Sequence, residues 1–332
     1  YRNFLDKILP SVERYRKKHK LVDGFFFAED DAYLDERVDF DFLMKKQTNK
    51  NSEKFFDILY NKIYRLLQGS GLSKFQSIRR VHIFFTKKVK CEFVDFYGLR
   101  LYLTENDSEN YSGGINYEDD YFDLLELEIT SGENVIDIGA KIGIYSLAFS
   151  KFVGPTGKVF SFEPTPISFN ILKKNMNENH LENMIVEQKG ITDKNETQLL
   201  ELFESSGNNR INKDSKNNIK INCTSLDNYF LNSHEKISFI KIDVEGLEPK
   251  VLSGMKNVLE KNPKLKILLE YNPKLMKFYG YVPEKILEDL IKQGFSLFDL
   301  EHDYEIEQNV EHFIKLYNNT HKLTNILAKK NF

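Results

Sequence analysis

Apolar residues change their spacing along the chain. Near the start they recur every three or four positions. Phe55, Ile58, Leu59, Ile63, Leu66 and Leu67 form one face of a helix over 53–68. Ser52 can cap that helix, and Gly69-Ser70-Gly71 ends it. Residues 1–87 therefore read as a mainly helical N-terminal extension. From residue 89 the runs shorten. Two β-rich runs, 89–96 and 99–104, flank Tyr97-Gly98 and predict a β-hairpin. A helix is predicted over 118–129. Beyond it, short apolar runs alternate with amphipathic ones. Strands are predicted at 134–138, 158–162, 185–188, 236–242, 265–269, 295–300 and 323–328, and helices at 142–152, 166–179, 249–260 and 283–293. The runs 197–203 and 218–222 predict an inserted hairpin with a polar tip at 205–217. Strands rich in apolar residues and alternating with helices imply an α/β, doubly wound, mostly parallel sheet covered on both faces. The expected organisation is the extension, 1–87, and an α/β domain with its leading hairpin, 88–332.

Composition narrows the function classes. The 332 residues carry 47 basic and 50 acidic side chains, a net charge of -3, so no overall positive field gathers nucleic acid. No run of about 18 apolar residues predicts a membrane span. Two cysteines far apart, Cys91 and Cys223, exclude a disulfide framework and a CxxC zinc site. They suit a reducing, cytoplasmic setting. The histidines show no metal-ligand spacing.

Sheets of this kind bind ligands beyond the carboxyl ends of their strands. The first strand runs into Asp137-Ile138-Gly139-Ala140-Lys141-Ile142-Gly143. Gly139 allows a tight turn and Gly143 allows close helix packing. A dinucleotide fingerprint would be G-x-G-x-x-G. Here the pattern is D-x-G-x-x-x-G, and its leading acid repels phosphate but attracts an ammonium. The second strand ends in Phe162-Glu163-Pro164, and Glu163 lies 20 residues after Gly143, where an acid can accept both hydroxyls of a ribose. An unphosphorylated ribose beside a cation-friendly turn points to S-adenosylmethionine rather than a nicotinamide dinucleotide. The run Phe239-Ile240-Lys241-Ile242-Asp243-Val244-Glu245-Gly246 places two more acids at the mouth of the central strand. Glu270-Tyr271-Asn272-Pro273 adds a third to the same rim. Asp243, Glu245 and Glu270 are the candidate catalytic residues. Asp243, Glu270 and Asn272 also resemble an oxygen-ligand set, so a divalent metal stays open without an assigned ligand.

Several of these pieces, in this order, resemble the FkbM-type class I S-adenosylmethionine-dependent methyltransferases. They are 137–143, Phe162-Glu163-Pro164, Thr224-Ser225-Leu226-Asp227 and 239–246, followed by Leu252-x-Gly254 and Thr324-Asn325-Ile326-Leu327-Ala328. Gly114-x-x-Tyr117-Glu118 precedes them. The likeness covers roughly 88–328. It implies a seven-stranded, Rossmann-like sheet, S-adenosylmethionine as cofactor, and methylation of a hydroxyl on a sugar, glycan or secondary metabolite. Lys141 stands where the family often has Asn, and Tyr271-Asn272 replaces a more usual apolar-His ending.

An alcohol is a poor nucleophile, and a base assists its attack on a methyl group. Asp243 is expected to orient the acceptor hydroxyl and take its proton, directly or through a metal. Glu163 is expected to bind the ribose. Asp137, Gly139, Ala140, Gly143 and Glu118 are expected at the methionine end, with Asp243 at the same rim. Gly190 and Ile191 are expected at the adenine edge. Three rivals remain: a nucleic-acid methyltransferase, a binding or assembly module without turnover, and a nicotinamide oxidoreductase. Base N-methylation needs an Asn/Asp-Pro-Pro-aromatic loop where this chain has Asp243-Val244-Glu245-Gly246. Cytosine C5 chemistry needs a cysteine after proline, which neither cysteine satisfies.

Overall fold

The computed structural model describes residues 92–104, 119–201, 210–211, 218–301, 304–306, 310–318 and 323–330. The N-terminal extension, the loop before residue 119 with Glu118, most of the 205–217 tip, and Cys91 lie outside the described residues.

The hairpin of β1 (Phe93–Phe96) and β2 (Leu99–Tyr102) closes through Tyr97 and Gly98, both at positive φ (53° and 74°). Two left-handed residues are what a tight two-residue hairpin turn requires. Next come α1 (Asp119–Glu128), β3 (Asn134–Ile138), α2 (Ile144–Val153), β4 (Lys158–Phe162), α3 (Pro166–Glu178) and β5 (Met184–Glu187). Four strands then leave the main frame: β6 (Gly190–Ile191), β7 (Glu196–Glu201), β8 (Arg210–Ile211) and β9 (Asn218–Thr224). The chain returns through α4 (Leu226–Tyr229), β10 (Ile237–Ile242), α5 (Glu248–Ser253), α6 (Lys256–Lys261), β11 (Lys266–Tyr271), α7 (Pro273–Phe278) and α8 (Pro283–Lys292). It ends with β12 (Phe295–Asp299), β13 (Tyr304–Glu305), α9 (Val310–Asn318) and β14 (Thr324–Lys330).

The main sheet has the order β13-β12-β14-β11-β10-β3-β4-β5. Seven strands form its body, and the two-residue β13 extends one edge. β5, β4, β3, β10 and β11 run parallel, while β14 lies antiparallel between β11 and β12. This is the expected doubly wound α/β sheet. Alternate residues face opposite layers. Ile136, Ile138, Ile240 and Ile242 pack toward α5, α6, α8 and α9, while Val135 and Phe239 pack toward α1 and α2. The strand order reverses between β3 and β10. The crevice at such a switch point opens beyond the carboxyl ends of the strands.

Three local features position that crevice. Pro166, just inside α3, has no N–H to leave unpaired. Asn175 on α3 accepts from the Tyr102 N–H at 2.6 Å and donates to the carbonyls of Tyr102 and Ile142 at 3.1 and 2.7 Å. It thereby ties the hairpin to the turn before α2. The helix expected over 249–260 is instead two helices, α5 and α6, parted at Gly254. A Cβ there would lie 2.2 Å from the Thr192 carbonyl oxygen, so the backbone bends where the inserted strands press against it. The inserted hairpin is a separate four-stranded sheet, β6-β9-β7-β8.

Candidate functional site

The turn after β3 is built around its own backbone. Gly139 and Gly143 have φ of 81° and 99°, a region that disfavours side chains. A Cβ on Gly139 would sit 1.8 Å from the Asp243 carbonyl oxygen, so the turn and the end of β10 are in backbone contact. The N–H groups of Gly139 and Ala140 both donate to the Phe162 carbonyl at 3.0 Å. The Lys141 N–H donates to Glu163 Oε2 at 3.0 Å. Three successive N–H groups of the turn are thus already committed to protein acceptors.

Glu163 is buried at the end of β4. Its Oε1 accepts from the Thr165 N–H at 2.8 Å and the Thr165 hydroxyl at 2.5 Å. Burial pushes its carboxyl above the usual range, while the donors on Thr165 and Lys141 pull the other way. A ribose hydroxyl donating to it would join the donors and favour the carboxylate.

A cleft open at its mouth lies over this turn. Gly139, Glu163, Pro164, Asp243, Glu245 and Leu247 line one part of it, and Gly190, Ile191 and Thr192 another. The inserted sheet supplies an apolar wall of Leu200, Ile221 and Cys223. Burial and the Glu196 charge raise the Cys223 thiol to about 11, so it is a packing group rather than a nucleophile.

Beneath the cleft runs a buried polar row. Ser161, Asp137 and Lys241 are register partners on β4, β3 and β10. Asp137 Oδ2 accepts from the Ser146 hydroxyl at 2.6 Å, and burial raises the Asp137 carboxyl. The buried Lys241 ammonium lies 2.9 Å from Asp243 Oδ2 and 4.4 Å from the centre of the Tyr145 ring. Asp243 itself is half-buried, its side chain 35% exposed. Glu270 lies below the rim with Oε2 buried and without a partner among the described residues. Burial, then the charges of Asp243, Glu245 and Glu248, hold its carboxyl well above the usual range.

Residues 137–297 match the sequence family described as the methyltransferase FkbM domain. These residues are an FkbM methyltransferase domain. A curated relative, the methyltransferase sdnD of Sordaria araneosa, is 26% identical over 173 residues, covering 42% of this chain. The match spans 66% of that protein, just under two thirds of its length. Similar solved structures include an rRNA methylase from Streptococcus thermophilus, with 12% identity and a TM-score of 0.38, covering 64% of this chain and 95% of that one. An S-adenosylmethionine-dependent O-methyltransferase from Thermotoga maritima has 16% identity and a TM-score of 0.37, covering 66% of each chain.

Within the FkbM domain the expected site residues fall into two groups. Gly139, Glu163, Gly190, Ile191, Asp243 and Glu245 line one cleft. Asp137, Ala140, Gly143 and Glu270 stand behind it as supports of the turn and the rim. Asn272, expected on the rim, accepts from the Leu275 N–H at 3.3 Å and caps α7. Ser225 caps α4, and Asp227 accepts from the N–H groups of Asn257 and Val258 at the start of α6. The Thr224–Asp227 motif therefore does structural work. Among the described residues, no three His, Cys, Asp or Glu side chains form a group that could hold a metal ion.

Two residues escaped the sequence reading. Lys241 is an isolated cation in an apolar strand, and its spacing of two from Asp243 was the available signal. Glu248 opens α5 and is fully buried.

Proposed function

We propose that the FkbM domain binds S-adenosylmethionine in the cleft over Gly139 and transfers its methyl group to a hydroxyl of a sugar, glycan or secondary metabolite. The observation that carries this reading is the turn itself. Its three N–H groups are committed within the protein, and one of their acceptors is a buried acid. A pyrophosphate needs free N–H groups there. Facing an ionised Glu163 at ~4 Å it would be repelled by about 4 kcal/mol at an effective dielectric of ~20. A ribose diol instead gains charge-assisted hydrogen bonds of roughly 1.5–3 kcal/mol each. The Leu200, Ile221 and Cys223 wall supplies an apolar surface for a flat base.

When bound, S-adenosylmethionine supplies an electrophilic methyl carbon on a sulfonium. The chain's own residues do the rest. Glu163 holds the ribose, and Gly139 lets the backbone approach the ligand. Asp243 accepts the acceptor's hydroxyl proton as the new bond forms. Lys241 holds Asp243 Oδ2 and supplies a counter-charge. The cleft walls align the reactants and exclude water. The chain's acidic balance and the absence of a Pro-Pro-aromatic loop after Asp243 favour a small-molecule or glycan acceptor over nucleic acid. The buried, unpaired Cys223 fits a reducing, cytoplasmic compartment.

Calorimetry with S-adenosylmethionine and with NAD, followed by labelled-methyl transfer to a panel of hydroxylated glycans and metabolites, tests this reading. Binding of the first ligand only, and label in an ether product, are expected. Asp243→Asn should slow transfer by ~10²–10⁴-fold, the range of general-base contributions, with cofactor affinity little changed. NAD binding, or full turnover by that variant, would overturn the assignment. Cofactor binding without transfer to any acceptor would instead mark a binding module.

A further inference from the structure

Glu248, like Asp137, is fully enclosed near the cleft and does not line it. Its Oε1 accepts from the Val244 and Gly246 N–H groups, both at 3.1 Å. Those groups precede the N-cap of α5, Leu247, so the carboxyl does not cap its own helix. It closes the 243–247 loop on itself. That loop needs holding. Glu245 and Gly246 are both left-handed, at φ of 55° and 95°, and a Cβ on Gly246 would meet the Leu275 backbone at 2.6 Å. At its other end, the loop presses the Asp243 carbonyl against Gly139.

Resting on the reading of this cleft as the cofactor site, we propose that Glu248 is a positioning residue. Its carboxyl fixes the 243–247 loop in the conformation that sets Asp243 and Glu245 against the Gly139 turn. The group acts as a double acceptor. Burial, opposed by its hydrogen bonds and reinforced by the Asp243 charge, raises it to about 8. Glu270 on β11 and Tyr281 after α7 also face it and add no positive charge. Burial thus favours the protonated carboxyl, while its other oxygen, Oε2, is buried without a partner among the described residues. A glutamine side chain keeps the accepting oxygen, and a methionine of similar length removes it while filling the space.

The test compares wild type, E248Q and E248M by amide hydrogen exchange over the loop and by S-adenosylmethionine calorimetry. In E248M, loop exchange should rise about tenfold or more and cofactor affinity fall by about tenfold, the scale of losing hydrogen bonds to buried donors. E248Q should restore both to within about threefold of wild type at pH 7. Wild-type loop protection, taken relative to the intrinsic exchange rate at each pH, should change as pH rises through about 8, while that of E248Q stays flat. An E248M loop protected as in wild type would overturn the proposal. So would an E248Q loop as loose as that of E248M. Should E248M fail to fold, E248Q alone decides, by its loop protection. If wild type binds no S-adenosylmethionine while E248M still frees the loop, the functional reading falls and the holding role stands.

Discussion

Gly139 is the residue on which two chain segments converge. Its φ of 81° is costly for any side chain, and a methyl group there would overlap the Asp243 carbonyl. Gly280 shares that φ but has nothing within 4 Å of a built Cβ. The pair separates strain from collision. G280A is expected to cost about 1–2 kcal/mol with cofactor affinity unchanged. G139A is expected to cost about 2–4 kcal/mol and to weaken S-adenosylmethionine binding more than tenfold, because the turn and the end of β10 must part. Urea unfolding and calorimetry on both variants check this, and equal behaviour would show that the contact is unimportant. Gly139, Glu163 and Asp243 were legible from the chain because each ends a strand, where ligand contacts concentrate. Lys241 and Glu248 were not. The spacing of two hinted at the Lys241–Asp243 pair, but the register of Lys241 with Asp137 and the fold-back of the loop onto Glu248 are not encoded in local spacing.

At the scale of elements, α3 substitutes for a missing neighbour of β2. Asn179 pairs with the N–H and carbonyl of Arg100 at 2.8 and 2.7 Å, and Asn175 does the same for Tyr102. Two asparagines one helical turn apart thus satisfy a strand edge that would otherwise be open. Asn175 is fully buried, so N175A leaves several backbone groups without partners. It should destabilise the chain by about 2–4 kcal/mol, and urea denaturation should show the loss. A loss under 1 kcal/mol would mean that water replaces those bonds. The parallel strands and long helices were readable because each buries an apolar face of its own. Elements that exist only through distant contacts were not. β8 and β13 have two residues each, and α9 owes its place to Phe313 and Tyr317 packing on Tyr271. The break between α5 and α6 depends on Thr192, more than sixty residues away.

At the scale of the whole molecule, four carboxyls among the described residues carry raised pKa values: the buried Asp137, Glu163 and Glu248, and Glu270, whose Oε2 is buried. In the folded state each keeps its proton at a pH where the unfolded chain has released it. Their stabilising contribution is complete below the ordinary carboxyl range and is lost as pH rises, to about 8 for Glu248. Each group contributes a slope of at most about 1.4 kcal/mol per pH unit within its own window. The urea midpoint should therefore be lower at pH 8 than at pH 5.5, and E248Q should flatten the upper part of that decline. A midpoint that rises over this interval would contradict the burial of these acids. One further consequence follows from the inserted strands. Gly190 and Ile191 pair with Cys223 and Thr224, so the excursion leaves and re-enters the frame through adjacent positions. A detour whose ends already touch can be shortened, lengthened or replaced without moving the strands it departs from. With Thr192 kept, because Gly254 packs on its carbonyl, exchanging the chain between it and Cys223 would change the Leu200 and Ile221 wall of the cleft and leave the turn and strand ends that carry Gly139, Glu163 and Asp243 in place.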